Sequence, residues 1–141
     1  KANKKGKVYL IDSFEGLIEN DHYHSKKHFI FKDIKSVKNK IDHLRLKNTK
    51  VLKMKFPLGA DSVLKKSKIK LCHIDVNTFT STKKSFFYIK KKLVKNGIII
   101  FDDYGILSAV GVKKFVDHLI KKDDGFTYIN NYMGQCILIK K

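Results

Sequence analysis

Residues 97–105 read GIIIFDDYG, and this stretch decides the fold. Residues 98–101 form an uninterrupted apolar run, the most hydrophobic strand candidate in the chain, and it ends in two carboxylates, Asp102 and Asp103. A run without polar alternation suits a central parallel strand covered on both faces. The same grammar, an apolar run followed by aspartate, occurs twice more. VYLI at 8–11 precedes Asp12, and IKLCHI at 69–74 precedes Asp75. Residues 51–56 read as a further strand, with Leu52, Met54 and Phe56 alternating against Lys53 and Lys55.

Helical spacing separates these runs. Ile34, Val37, Ile41 and Leu44 recur every three or four residues across 34–46. Asp61 is placed to cap a short helix reaching residue 66. Ser81 or Thr82 is expected to cap a helix reaching residue 95, with Phe86, Ile89 and Leu93 on one side and Asn96-Gly97 as its stop. Val112, Phe115, Val116 and Leu119 mark a helix over 110–120. Residues 126–129 and 136–139 close the chain as an antiparallel hairpin around Asn130-Asn131 and Gly134. The order β-α-β-α-β-α-β-α-β-β predicts an α/β sheet with right-handed crossovers. The 141 residues are read as a single domain.

Composition narrows the function. The net charge is +18, and clustered cations bind phosphates by releasing their counterions. Yet Arg45 is the only arginine, and the lysines are spread from Lys26-Lys27 through Lys90 to Lys121-Lys122. Arginine's planar fork is favoured for phosphate and base recognition. Diffuse lysine reads as solvated surface, so nucleic acid is not the expected partner. No apolar run reaches the ~18 residues that span a bilayer. No signal peptide opens the chain, so the expected location is the cytoplasm. Cys72 and Cys136 sit in apolar runs with no ligand spacing and read as buried, reduced thiols. His22, His24 and His28 match no ligand template and read as a surface loop.

The strand ends carry the chemistry. In a parallel sheet the C-terminal ends of the strands share one rim, and ligands bind there. Asp12, Asp75, Asp102 and Asp103 therefore converge without being close in sequence. A carboxylate after an early strand can accept ribose hydroxyls of a nucleoside-type cofactor. Carboxylates gathered on adjacent central strands repel one another unless a cation lies between them. Oxygen-only ligands suit Mg²⁺ or a similar hard cation.

These residues also carry a resemblance. DSFEGL at 12–17, HIDVNTFTST at 73–82 and GIIIFDDYG at 97–105 resemble motifs of the macrocin O-methyltransferase (TylF-type) family, with GADS at 59–62 in the expected order. The resemblance covers nearly the whole chain. It implies a class I, Rossmann-like methyltransferase fold: a mostly parallel sheet ending in an antiparallel hairpin. It also implies S-adenosylmethionine and Mg²⁺ or a similar divalent cation as cofactors, and a sugar-type hydroxyl on a small molecule as acceptor. By the same resemblance, Asp12 binds the cofactor ribose, Ser13 and Phe14 lie beside the adenosine, and Asp61 and Ser62 border the adenine. Asp75, Asp102 and Asp103 become the metal ligands.

The sequence departs from the family pattern in two places. The family usually reads D-A-D after its metal-binding aspartate, with the second aspartate as proposed general base. Here Asp75-Val76-Asn77 stands instead, and neutral asparagine cannot take a proton. His73, on the strand before it, and Tyr104, directly after Asp102-Asp103, are the substitutes to weigh, against a core histidine and a turn tyrosine. The family also has a strand and a glycine-rich loop before DSFEGL, whereas only KANKKGK precedes Val8 here. The domain therefore reads as lacking the first strand of its sheet, with a gap expected between the strand at 8–11 and that at 69–74. A second chain filling that slot, and hence a homo-oligomer, is one alternative; a catalytically silent methyltransferase-like domain is another.

Overall fold

A computed structural model describes residues 6–20, 29–31, 33–122, 125–131 and 133–141. The elements run β1 (Val8–Asp12), α1 (Ile34–His43), β2 (Thr49–Lys53), α2 (Asp61–Leu64), β3 (Ile69–Ile74), α3 (Phe79–Lys90), β4 (Leu93–Phe101), α4 (Val110–Lys121), β5 (Phe126–Asn130) and β6 (Cys136–Lys140). A 3₁₀ turn over Leu107–Ala109 leads into α4. This is the expected alternation, closed by the expected hairpin. No helix among the described residues is long and apolar enough to cross a membrane.

The strands form two sheets. β1 pairs in parallel with β2, and a four-stranded sheet runs β3-β4-β6-β5. β3 and β4 are parallel, while β6 runs antiparallel to both β4 and β5. β1 and β3 do not pair, so the expected gap lies between them.

Strand alternation sorts β4 between two faces. Ile99 and Phe101 are fully buried, while Ile98 and Ile100 are only partly covered. α3 and α4 cover the first face. There the Phe86 ring lies 5.6 Å from Phe115, 5.8 Å from Phe126 and 6.0 Å from Phe101. Burying one such ring contributes about 1.5–3 kcal/mol. The other face carries Leu71, which is 61% exposed, beside Ile98 on β4 and Ile139 on β6. Covering of β4 on both faces was expected; among the described residues one face is covered.

Three local expectations are corrected. The cap of α3 is Thr78, whose Oγ1 accepts the Ser81 N–H at 3.3 Å, and Ser81 and Thr82 lie inside the buried first turn. Helix α3 ends at Lys90, and Asn96-Gly97 sits within β4, where the register with β3 shifts. The hydrophobic run there pairs with a neighbouring strand, and that pairing overrides a local stop signal. Asp61 opens α2 without capping it. No residue of α1 is buried, so its apolar stripe gives a weakly covered helix.

Burial pushes the Cys72 thiol up to about 12 and that of Cys136 up to about 11, so both stay protonated at neutral pH. His22, His24 and His28 lie outside the described residues.

Candidate active site

A cleft of about 420 Å³ opens where β1, β3 and β4 end. It is lined by Asp12 and Ser13 after β1, by Asp75 and Asn77 after β3, and by Asp102 and Asp103 after β4. Met54, Phe56, Phe29 and Ile106 add apolar wall, and Ser81 brings the first turn of α3 to it. The four strand-end aspartates read from sequence therefore meet in one cavity.

Each is held by local backbone chemistry. Asp12 Oδ1 accepts the Phe14 N–H at 2.6 Å, and Ser13 Oγ donates to the Gly16 carbonyl at 2.7 Å. This double turn supports Phe14 at φ 56°, a left-handed conformation that costs an aromatic residue on the order of 1 kcal/mol. Phe14 itself is buried and does not line the cleft. Asn77 and Asp103 also have left-handed backbones, both at φ 58°. Asn77 Nδ2 donates to Asp103 Oδ2 at 2.9 Å.

Asp102 is engaged at both oxygens. Its Oδ1 accepts the Asp103 N–H and the Gln135 side-chain amide, each at 3.1 Å. Its Oδ2 faces His73 Nε2 at 3.3 Å. Partial burial, then the charges of Asp103 and Asp102, push the Asp75 carboxyl above its ordinary value, with His73 pulling the other way.

The remaining sequence candidates are placed as follows. His73 is half-exposed on β3, so it is no core histidine, and regular alternation puts it on the side of Asp75. Tyr104 is buried, its hydroxyl donating to Asp117 on α4 at 2.8 Å, and it does not line the cleft. Burial and that bond to Asp117 push its hydroxyl above its ordinary value. Asp61 and Ser62 also lie outside the cleft lining. Asp61 Oδ1 accepts the Tyr88 hydroxyl at 2.7 Å with Lys92 Nζ at 3.5 Å, and Ser62 Oγ donates to the Gly59 carbonyl. The Tyr88 bond, first among several causes, holds the Asp61 carboxyl below its ordinary value. Among the described residues no three histidine, cysteine, aspartate or glutamate side chains are grouped to hold a metal ion.

Gln135 escaped the reading of the sequence. The only available signal was its place next to the β6 run, which carries meaning only once the strand register is known.

The profile of the Macrocin-O-methyltransferase (TylF) family matches residues 1–131. The chain belongs to that family. No curated protein matches it in sequence. Among solved structures, the O-methyltransferase NovP is 18% identical with a TM-score of 0.66, and the match covers 96% of this chain and 60% of NovP. The calicheamicin methyltransferase CalS11 is 13% identical with a TM-score of 0.76, over 98% of this chain and 62% of CalS11. SMU.1697c from Streptococcus mutans, solved in complex with SAH, is 15% identical with a TM-score of 0.58, over 96% of this chain and 76% of its own. At these identities the likeness establishes the Rossmann-like methyltransferase fold. The chain spans about three-fifths of the length of NovP and CalS11. In this TylF-family chain, the stretches DSFEGL and FDDYG border the cleft at Asp12 and at Asp102-Asp103.

Proposed function

We propose that this TylF-family chain forms the ribose- and acceptor-binding part of an S-adenosylmethionine-dependent O-methyltransferase acting on a hydroxyl of a sugar or related small metabolite. The observation that carries this reading is the single cleft shared by Asp12 and the pair Asp102-Asp103. A volume of about 420 Å³ falls in the ~300–1,000 Å³ range of small-molecule pockets.

The residues suit the cofactor. Asp12 Oδ1 is occupied by the Phe14 N–H, which leaves Oδ2 for ribose hydroxyls. Ser13, on the same turn, lines the cleft beside it. S-adenosylmethionine, when bound, supplies an electrophilic methyl group on sulfonium sulfur. As the acceptor oxygen forms its bond to that methyl, the hydroxyl proton must leave. Asp75, which lines the cleft and whose carboxyl is held above its ordinary value, is suited to receive it. His73 is placed to stabilise the Asp75 charge. Tyr104 is committed to Asp117 and takes no proton in this scheme. Met54, Phe56 and Ile106 give the cleft an apolar wall against which the cofactor and acceptor can pack.

A divalent cation fits less well. The donor chemistry of Asp75, Asp102 and Asp103 suits a hard cation, and their mutual repulsion is what such an ion relieves. The geometry is not assembled for it, because Gln135, His73 and Asn77 occupy oxygens of Asp102 and Asp103.

Calorimetric titration with S-adenosylhomocysteine tests the reading. Binding is expected, weakened on the order of tenfold or more in Asp12→Ala, since a hydrogen bond to a charged group contributes about 1.5–3 kcal/mol. No binding by the parent protein removes the proposal. Asn77 supports a second reading, a domain that binds the cofactor without turnover. Robust methyl transfer by the natural sequence excludes that alternative.

A further inference from the structure

We propose that Gln135 is a positioning residue of the cleft, held by Asn131 so that its side-chain amide fixes the orientation of Asp102. This assignment rests on the methyltransferase reading for its role, though its geometry stands apart from it.

The argument begins with strand register. β4 and β6 are antiparallel with Phe101 opposite Cys136, so the next residues outward, Asp102 and Gln135, are also opposite. Gln135 Nε2 donates to Asp102 Oδ1 at 3.1 Å, and Gln135 Oε1 accepts from Asn131 Nδ2 at 3.0 Å. Asn131 is itself locked. Its Oδ1 accepts the N–H groups of Met133 at 3.0 Å and Gln135 at 2.9 Å, and its own N–H donates to the Gln135 carbonyl at 3.0 Å. The turn between β5 and β6 is thus closed by the asparagine side chain.

The turn is also clasped to the loop after β4. The Gly105 N–H donates to the Gly134 carbonyl at 2.8 Å, and a Cβ on Gly105 would stand 2.9 Å from Gly134 Cα. Only glycine permits that approach.

The direction of the relay is chemically determined. Turning the glutamine amide over would set its oxygen against the Asp102 carboxylate and its NH₂ against that of Asn131. Donation therefore runs from Asn131 to Gln135 to Asp102. The Asp103 N–H meets the same Asp102 oxygen at 3.1 Å, so Oδ1 is doubly engaged and Oδ2 is held toward His73. An amide does this without adding charge to a rim already crowded with carboxylates. A misplacement of about 1 Å at a reacting site can cost on the order of 10²-fold in rate.

Gln135 is the only glutamine in the sequence, so [¹⁵N]glutamine labelling of the full chain reports one side chain. Its amide protons are expected away from free-glutamine positions. Gln135→Met and Asn131→Asp are expected to move the His73 ring-nitrogen resonances and leave those of His118 in place. Asn131→Asp keeps the acceptor oxygen that closes the turn and replaces the donor to Gln135 with a charged acceptor, so it serves where Gln135→Met fails to fold. Free-glutamine shifts in the parent, or an unmoved His73 in Asn131→Asp, overturn the proposal. With S-adenosylmethionine and TDP-rhamnose, the acceptor for which CalS11 is named, as probes, Asn131→Asp should lower kcat on the order of tenfold or more, with KM for the cofactor changed less than about twofold. A raised KM with unchanged kcat overturns the positioning role. If the parent transfers no methyl to this acceptor, the methyltransferase reading fails for it, while the resonances still decide for or against Gln135.

Discussion

Asn77 donates its side-chain amide to Asp103 Oδ2 at 2.9 Å, from one left-handed strand end to another. The asparagine that departs from the family's acidic pattern is therefore not idle. It neutralises one oxygen of a four-carboxylate rim by hydrogen bonding. Asn77→Asp replaces that donor with a like charge. The variant should be less stable by about 1–3 kcal/mol at neutral pH, as measured by urea denaturation. Millimolar Mg²⁺ should restore part of the loss, because a cation can then take the donor's place. Equal stability of the two proteins without Mg²⁺ would sink this account.

Asp75 should limit stability above the acidic range. Its folded pKa is raised, by partial burial first and then by Asp103 and Asp102, above the ordinary 3.8. The contribution of its protonated form is thus fully present below pH 3.8 and is lost as pH rises through the folded pKa. Asp75→Asn should accordingly raise Tm at pH 7, and the gain should shrink to nothing as the pH falls below the carboxylate range. Thermal scans across pH check this; a gain that grows on acidification has the wrong sign.

Phe86 holds the largest aromatic cluster together. It is fully buried against Phe115, Phe126 and Phe101. Phe86→Ala should cost about 3–5 kcal/mol in equilibrium unfolding, as large-to-small core substitutions do. A cost below about 1 kcal/mol would show that the cluster collapses onto the void.

Gly111 sets two helices in contact. A Cβ there would meet the Phe79 backbone nitrogen at 2.5 Å, and backbone cannot swing aside as a side chain can. Helix propensity favours alanine over glycine by about 1 kcal/mol, whereas overpacking costs about 1–3 kcal/mol. Gly111→Ala should therefore destabilise on balance, by urea denaturation, and a stabilised variant would mean that α4 shifts freely against α3.

Much of the fold was legible because its signals are local. The apolar runs at 8–11, 69–74 and 98–101, each followed by aspartate, mark three strands and name four of the acidic residues lining the cleft. The Asn96-Gly97 stop and the Ser81 or Thr82 cap misled because pairing of β4 with β3, and the earlier start of α3 at Phe79 behind its Thr78 cap, are settled by packing between elements. Asp61 and Tyr104 show the same dependence on packing between elements. Their side chains turn to Tyr88 and Asp117, partners 27 and 13 residues away.

What the sequence determined by itself is the order of elements, the membership of the TylF family and the aspartates at the strand ends. These depend on periodicity and on residue type within short windows. What only the tertiary structure decided is which oxygens of those aspartates are engaged, and by whom. Gln135 reaches Asp102 from 33 residues away because an antiparallel register puts it there, and Asn77 reaches Asp103 across 26 because two parallel strands end side by side. Hydrogen bonds act over about 3 Å in space, and chain separation carries no record of that distance until the strands have paired.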